Sequence, residues 1–588
     1  MRPRRRKSLP NNNHESGNGA PAVIAPAEPG VVRIIPLGGV EEIGKNMTAI
    51  EFNGDIVVID IGLAFPTEET PGVDYIIPDA SYLEQNKARV RGVIITHGHL
   101  DHTGGIPYIM SRIGNPPLYT RNLTSLFIKK RMDEFPQMPP LNMIIVEKDD
   151  RIKIGNLPIR FFGVTHTIPD SMGVIIETPY GLIVNPGDFK LDLDKVDGVP
   201  TPEEETTYAV FAKEKTRLLL ADSTNIENPG FSIPERETHK NIEEIIKNVK
   251  NRLFIGTFAS QLERMIKIIG FVEKYGRKLV VEGRSMKTNI EVAQLAGLLT
   301  VKKDTIISGQ DIGNYPEDKV VILATGAQGE EFAALMRMAT KTHKYLRFKK
   351  GDTVLLSSSI IPGNEITVQK LKDNIARQGA KIISYRTSEV YIHSSGHGNR
   401  GEIEWLHRKI KPTFFIPIHG SHHRLRQHAE LAMEIGTPES HIVVPDNGMV
   451  IEITDNGQKI APRKEVASSK LVMVDGLGGN NVEEVVIRDR QMLSTDGMFV
   501  IIAIIDMKTG RVRKSPDIIS RGFVYLKESQ ELLHQTRALI KKKIEDAIGQ
   551  MHPINFDYVK NVLREEIGKF LFQKTYHRPI ILPVLIEV

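Results

Sequence analysis

The stretch that most constrains this chain is seven residues long. Thr96-His97-Gly98-His99-Leu100-Asp101-His102 follows directly on Val93-Ile94-Ile95, an apolar run that reads as a buried strand. Histidines alternating at a strand end aim two imidazoles into one cleft. The turn that follows carries Asp101 and His102 round toward a second centre. Gly98 and Gly104-Gly105 let the backbone bend closely there. Imidazole and carboxylate ligands suit zinc, and also manganese or iron. The chain has no cysteine, so thiolate ligands, disulfides and thiolate catalysis are excluded. Any metal must be held by His, Asp or Glu.

Further ligands are expected from other strand ends. His166 follows the run Ile159 to Val164, Asp188 follows Leu182 to Asn185, and His419 follows Phe414 to Ile416. A lone strand-end His or Asp is usually a satisfied polar group. Taken together, these residues make up a full set for two metals.

The chain has 588 residues, too many for one hydrophobic core, so two to four domains are expected. Residues 1–30 read as a disordered basic tail. It holds five Arg and Lys against two Glu, which accounts for +3 of the net charge of +5. The body is therefore nearly neutral, and any affinity for a polyanion needs a local basic groove. No run is apolar enough to span a bilayer, and no secretory signal precedes the body, so a cytoplasmic protein without membrane association is expected. Residues 31–232 are strand-rich, with Gly turns. Residues 233–396 alternate strand and helix, which implies a mostly parallel sheet inserted into the first domain, because His419 lies beyond it. Residues 397–457 complete the first domain and 458–470 read as a polar linker. Residues 471–588 form a small α+β domain with two amphipathic helices.

The HxHxDH cluster, the later His166, the Gly187-Asp188 pair and the final His419 resemble the metallo-β-lactamase superfamily. That resemblance implies an αββα sandwich. It implies that His97, His99 and His166 hold one divalent ion, that Asp101, His102 and His419 hold another, and that Asp188 bridges the two. Zinc is the expected metal, with manganese as the alternative. Asp60 matches the superfamily's early Asp, which orients ligands. Asp222-Ser223-Thr224-Asn225 and Ser394-Ser395-Gly396-His397 resemble the motifs of the β-CASP subfamily, whose members act on nucleic acids. Gly256 to Ser260, Gly283 to Met286, Thr325 to Glu330, Ile361 to Glu365, Val474 to Gly478, Arg488 to Arg490 and Pro516 to Val524 are similar to ribonuclease J. The likeness runs from about Val31 to the C-terminus. It departs after His419-Gly420, where the family usually carries an acidic residue and this chain has Ser421-His422-His423. Ser394, in the small position of its motif, is a milder change.

The resemblance implies hydrolysis of RNA phosphodiesters. Asp101 would take a proton from the attacking water, and His397 would stabilise or protonate the leaving oxygen. It implies 5′-to-3′ exonuclease action on single-stranded RNA with a 5′-monophosphate, with endonuclease action beside it, in RNA decay and in rRNA and mRNA processing. Phe258, Ala259, Ser260, His393, Ser394, Ser395, Gly396 and His397 are the expected substrate contacts, and Asp222 is an expected supporting group. The terminal domain is expected to assemble a homodimer or homotetramer, and a decay complex or the ribosome is an expected partner. Two rivals are a processing endonuclease of the polyadenylation type and a non-catalytic scaffold. The first usually carries N-terminal RNA-binding modules, which this chain does not show. The intact ligand set argues against the second.

Overall fold

The computed structural model describes residues 24–67, 70–194, 198–361, 363–475, 480–481, 484–507, 509–523, 529–549 and 554–588. Most of the basic tail, Pro362, Gly476 to Gly478 and Val524, all singled out in the sequence, lie outside them. The described residues divide into two compact units. One comprises those up to Ala64 together with Ile77–Leu471, and the other comprises Phe65–Ile76 and Val472–Val588.

In the first unit two sheets face each other. The eight-stranded sheet runs Lys459–Val466, Met449–Thr454, Val32–Gly38, Met47–Phe52, Asp55–Ile59, Val90–Ile94, Leu118–Thr120, Met143–Ile145. The six-stranded sheet runs Phe414–Ile418, Thr216–Asp222, Gly181–Asn185, Met172–Thr178, Leu157–Gly163, Arg151–Ile154. Side chains alternate along each strand, so one parity faces the partner sheet. Ile34, Ile50, Val57 and Ile94 from the first sheet meet Ile159, Val174, Leu218 and Phe414 from the second in one buried core. The opposite parity of the second sheet, including Ile175, Leu219 and Phe415, packs under helices Arg400–Ile410 and His422–Glu434 through Leu406 and Leu431. Phe414–Ile418 lies parallel to Thr216–Asp222, so the segment beyond the insertion completes the sheet begun before it.

The insertion is a five-stranded, wholly parallel sheet in the order Lys278–Glu282, Val320–Ala324, Leu253–Gly256, Thr353–Leu356, Lys381–Ser384. Leu253 and Ile255 pack on one face against Met265 and Ile269 of helix Leu262–Lys274. Phe254 and Val354 pack on the other against Leu371 and Ile375 of helix Glu365–Arg377. From Leu253–Gly256 the chain crosses to one edge of the sheet, and from Thr353–Leu356 it crosses to the other. The carboxyl ends of these neighbouring strands therefore open a crevice, the usual ligand position in such sheets.

Three expectations from the sequence need correcting. Residues 24–30 are packed, not part of a free tail. Ile24 and Ala27 are buried, and the Ala27 and Gly30 amides donate to Glu51 and Asn53. The polar stretch 458–470 holds a strand, Lys459–Val466, paired antiparallel with Met449–Thr454. It is an edge strand facing solvent, so its charged residues guard the edge and hide the strand pattern. Phe65–Ile76, read as part of the first domain, belongs with the C-terminal unit. There the Asp74 amide donates to the Val474 carbonyl at 3.0 Å, and Arg490 donates to the Gly72 carbonyl at 2.6 Å.

The second unit is built on Met498–Asp506, which pairs antiparallel with Arg511–Val512 and Asp517–Arg521 and parallel with Ile580–Glu587. Phe499, Ile501, Ala503 and Ile505 are buried against helices Gln530–Ile548 and Phe556–Thr575. Among the described residues no helix is long and apolar enough to cross a membrane.

Candidate active site

The ligand candidates and their supporting carboxylates lie at carboxyl ends of strands in the two facing sheets, except Asp101 and His102, which lie on the short helix Leu100–Thr103 just after one of them. Asp60 follows Asp55–Ile59, His97 and His99 follow Val90–Ile94, and His166 follows Leu157–Gly163. Asp188 follows Gly181–Asn185, Asp222 ends Thr216–Asp222, and His419 follows Phe414–Ile418. Asp60 and His419 hold left-handed backbone conformations, with φ of 62° and 55°. Such strain persists where surrounding structure enforces it. At His419 the enforcing contact is its amide, which donates to the Gly39 carbonyl at 2.6 Å. Gly62 is required beside the cluster. A Cβ there would lie 1.6 Å from the Asp101 carbonyl oxygen.

Two four-residue groups converge and share one carboxylate. His97, His99, His166 and Asp188 form the first, and Asp101, His102, Asp188 and His419 form the second. In the first, His99 Nδ1 lies 3.1 Å from both His97 Nε2 and His166 Nε2. In the second, His102 Nε2 lies 3.2 Å from Asp188 Oδ1, and His419 Nε2 lies 3.4 Å from Asp101 Oδ2.

Each imidazole turns one nitrogen inward and has the other held from behind, which fixes ring orientation and tautomer. His102 Nδ1 meets Asp60 Oδ2 at 2.7 Å, and His166 Nδ1 meets the Gly396 carbonyl at 2.7 Å. His97 Nδ1 meets the Thr96 hydroxyl at 3.1 Å, and His419 Nδ1 meets the Thr224 hydroxyl at 2.8 Å. Asp60 also accepts the Thr96 amide at 2.8 Å, which ties the supporting carboxylate to the cluster's own turn.

The two groups differ electrostatically. Burial pushes His97, His99 and His166 below the ordinary imidazole range, against the pull of Asp188 and, at His99, of Asp101, and neighbouring imidazoles add to it, so this group offers neutral nitrogens. Burial is the largest single influence on His102 and His419 and opposes their charge, but the carboxylates together outweigh it: Asp188 and Asp60 at His102, and Asp188, Asp101 and Asp222 at His419. His102 lies well above its ordinary value and His419 rises to about 10. Burial alone would raise Asp188, yet His419 and His102 hold it well below the carboxylate range. The second group thus gathers more negative charge than its own rings balance without protonation.

These side chains fit a pair of divalent cations. Asp188 Oδ2 and His419 Nε2 are buried at the centre of the cluster without any hydrogen-bond partner. Buried polar atoms are rarely left so unless a ligand meets them. The donors are nitrogen and oxygen only, which suits zinc or manganese.

His397 stands beside both groups, its ring centroid 5.3 Å from that of His166 and 5.4 Å from that of His419. Its Nδ1 meets Asp222 Oδ2 at 2.6 Å, and its carbonyl accepts from Asn225 Nδ2 at 2.9 Å. Burial opposes charge on His397, but Asp222 and Asp188 raise its pKa above the ordinary value. Asp188, Asp222, His397 and His419 make a third candidate group. Its Asp222 and His397 are bonded to each other, so they support the centre from the side. Gly396 is required next to His397, because a Cβ there would meet His166 Cε1 at 2.8 Å.

The expected substrate contacts divide by exposure. Ser260 is exposed and Phe258, Ala259 and Ser395 are half-buried. Ser260 is tied to the cluster directly, its carbonyl 3.5 Å from His99 Nε2. His393 and Ser394 are buried below. Arg264 donates to His393 Nδ1 at 3.0 Å and to the Ser394 carbonyl at 3.2 Å, while the Ser394 hydroxyl donates to the Ile233 carbonyl at 2.6 Å. Burial, with Arg264 beside it, lowers His393 to about 3. His422 and His423 stay outside the centre, about half or more exposed, beside Glu41 and Glu227. Sequence reasoning missed Thr96, Thr224, Asn225 and the buried Arg264–Glu235 pair. Thr96, Thr224 and Asn225 lie inside the quoted motifs, but Arg264 looks like any charge on an amphipathic helix.

Comparison with known proteins agrees with this architecture. Residues 41–220 match the metallo-beta-lactamase superfamily and 250–375 the ribonuclease J beta-CASP domain. Residues 386–445 match the Zn-dependent metallo-hydrolase RNA specificity domain, and 485–588 match the ribonuclease J C-terminal domain. The chain is 35% identical to Ribonuclease J 1 of Streptococcus pyogenes over 95% of its own length and 98% of the relative's. It is 34% identical to Ribonuclease J2 of Bacillus subtilis over 95% of its own length and 99% of the relative's. A solved protein of unknown function from Enterococcus faecalis V583 shares the fold, with a TM-score of 0.52 at 17% identity, covering 72% of this chain and all of that one. With matches that run through the metal cluster, the insertion and the terminal unit alike, the chain belongs to the ribonuclease J family of metal-dependent ribonucleases.

Proposed function

We propose that this protein removes nucleotides from the 5′ end of single-stranded RNA bearing a monophosphate, and also cuts internally, in cytoplasmic decay and processing of mRNA and rRNA. The observation that carries the reading is that two loops of the inserted domain meet the metal cluster: the Ser260 carbonyl lies 3.5 Å from His99 Nε2, the Gly396 carbonyl 2.7 Å from His166 Nδ1, and the neighbouring His397 Nε2 3.9 Å from Asp188 Oδ2. Beside them the exposed Ser260 and half-buried Ser395 offer backbone and hydroxyl groups. A small terminal phosphate suits donors of this size, whereas a triphosphate is bulkier and more charged.

His97, His99, His166 and Asp188 would hold one ion, and Asp101, His102, His419 and Asp188 the other. Zinc or manganese held there would supply a nucleophile at neutral pH and neutralise charge on the scissile phosphate. The chain's own residues do the rest. Asp101, the most exposed carboxylate of the cluster, with 29% of its side chain accessible, faces the incoming water and accepts its proton. Because Nδ1 of His397 is committed to Asp222, its Nε2 is the nitrogen that delivers a proton to the departing 3′ oxygen. Monophosphorylated RNA should be degraded at least about tenfold faster than triphosphorylated RNA of the same sequence, the ratio that about 1.4 kcal/mol of end recognition gives. Equal single-turnover rates on the two ends would refute the end preference.

The terminal unit supports assembly into a homodimer or homotetramer. The sheet face away from its helices carries Val500, Ile502 and Ile504, flanked in register by Ile519 on one side and Leu582, Val584 and Ile586 on the other. The four flanking residues are 42–44% exposed. A contiguous apolar grid of this kind on a soluble protein marks an association surface. Leu582→Glu combined with Val584→Glu should lower the mass read by light scattering to that of one chain. An unchanged mass would count against this surface.

A further inference from the structure

A cavity of about 480 Å³ lies at the edge of the inserted sheet, beside strand Lys278–Glu282 and helix Arg284–Leu295. Its lining includes Glu282, Lys287, Glu291, Arg337, Lys344 and Tyr345, and none of the metal-cluster residues. The volume lies within the range of small-molecule sites, roughly 300–1,000 Å³.

The charges on its wall do not cancel. Glu291 is taken by Lys130 at 3.0 Å, and Glu282 by Lys287 at 3.5 Å. Arg337 and Lys344 have no carboxylate within 4.0 Å among the described residues. Arg337 Nε is buried without a hydrogen-bond partner. A guanidinium left this way costs stability unless an acceptor meets it, and its planar fork matches a phosphate. Lys344 Nζ sits 4.9 Å from the centroid of the Tyr345 ring, and Tyr345 is 40% exposed. His343 holds this segment in place. Its Nδ1 accepts the Tyr345 and Leu346 amides at 3.3 and 3.1 Å, which leaves Nε2 as the protonated nitrogen, 3.7 Å from Glu282. Ile290 and Ile306 supply apolar wall.

We propose that this cavity is a second binding site, separate from the metal cluster, for a nucleoside monophosphate unit. A phosphate monoester carries a charge of about −1.5 to −2 at neutral pH, which two uncompensated cations balance. The exposed Tyr345 ring gives the base a face to stack on, an interaction that tolerates any base. Glu282 and Glu291 accept hydrogen bonds from ribose hydroxyls or exocyclic amines.

The test is calorimetric titration of the metal-loaded full chain with 5′-AMP, inorganic phosphate and adenosine. A binding class should appear in the order 5′-AMP tighter than phosphate, and phosphate tighter than adenosine. Arg337→Gln should weaken 5′-AMP in that class at least about tenfold, with unchanged turnover at saturating RNA. Tyr345→Ala should weaken 5′-AMP while leaving phosphate unaffected, and it serves as the second variant if Arg337→Gln unfolds. An unchanged KM for RNA in these variants identifies a free mononucleotide as the occupant, and a raised KM identifies a unit of the RNA strand itself. Titrations indistinguishable from wild type in both variants would overturn the site. Equal affinity for phosphate and 5′-AMP would overturn its assignment to a nucleotide.

Discussion

Replacing Asp188 with alanine is expected to strip the protein of both divalent ions and to lower RNA hydrolysis by about 10³-fold or more, since several kcal/mol of charge stabilisation are lost. Asp188 belongs to both ligand groups, and its two oxygens divide between them. Oδ1 lies 3.2 Å from His102 Nε2, and Oδ2 lies 3.7 Å from His97 Nε2. No neighbour can replace it, because Asp60 and Asp222 are spent holding His102 and His397 from behind. The measurement is metal content by elemental mass spectrometry beside a nuclease assay. A linkage readout separates lost metal from lost folding. Zinc or manganese should raise the Tm of wild type, because a ligand that binds only the folded state stabilises it, and should leave the variant's Tm where a chelator puts it. An Asp188→Ala protein that keeps two equivalents of metal would overturn the shared-ligand arrangement.

Much of this centre could be read from the sequence because its chemistry is local. His97, His99, Asp101 and His102 share one turn after one strand, and no packing information is needed to bring them together. His166, Asp188 and His419 each sit at an apolar strand end, so the superfamily pattern could join what linear distance separates. What escaped depends on tertiary context. The Gly396 carbonyl orients His166 across 230 positions of sequence, and no residue-type signal marks a carbonyl. Arg264 is wholly buried on a helix whose pattern predicts a solvated charge, and its pairing with Glu235, with hydrogen bonds to His393 and the Ser394 carbonyl, makes the burial tolerable. Lys459–Val466 was hidden because an edge strand facing solvent loses the alternation that betrays a strand. Phe65–Ile76 could not be assigned to the terminal unit because its partners, Val474 and Arg490, lie some 400 residues away.

His397→Ala should lower turnover by about 10²–10⁴-fold, the usual worth of general acid–base catalysis, while metal content stays intact. The distinction from Asp188 follows from geometry. His397 reaches no closer than 3.9 Å to Asp188 Oδ2, and its other nitrogen is bonded to Asp222 at 2.6 Å, so it borders the ions' ligands without completing either group. A purely structural role in closing the insertion onto the core would predict a different result. Asn225 already ties the His397 backbone, through a side-chain bond to its carbonyl that alanine retains, so the loop should survive the substitution. The decisive arm is an RNA whose scissile 3′ oxygen is replaced by sulfur. A thiolate leaves without a proton, so a variant lacking only the proton donor should recover most of its rate on that substrate. Asp222→Asn should fall between wild type and His397→Ala on ordinary RNA, because it keeps the ring in place but removes the charge that favours its protonated form. If His397→Ala instead loses bound metal, or stays as slow on the sulfur substrate, the side chain is a ligand or a structural prop and not the proton donor.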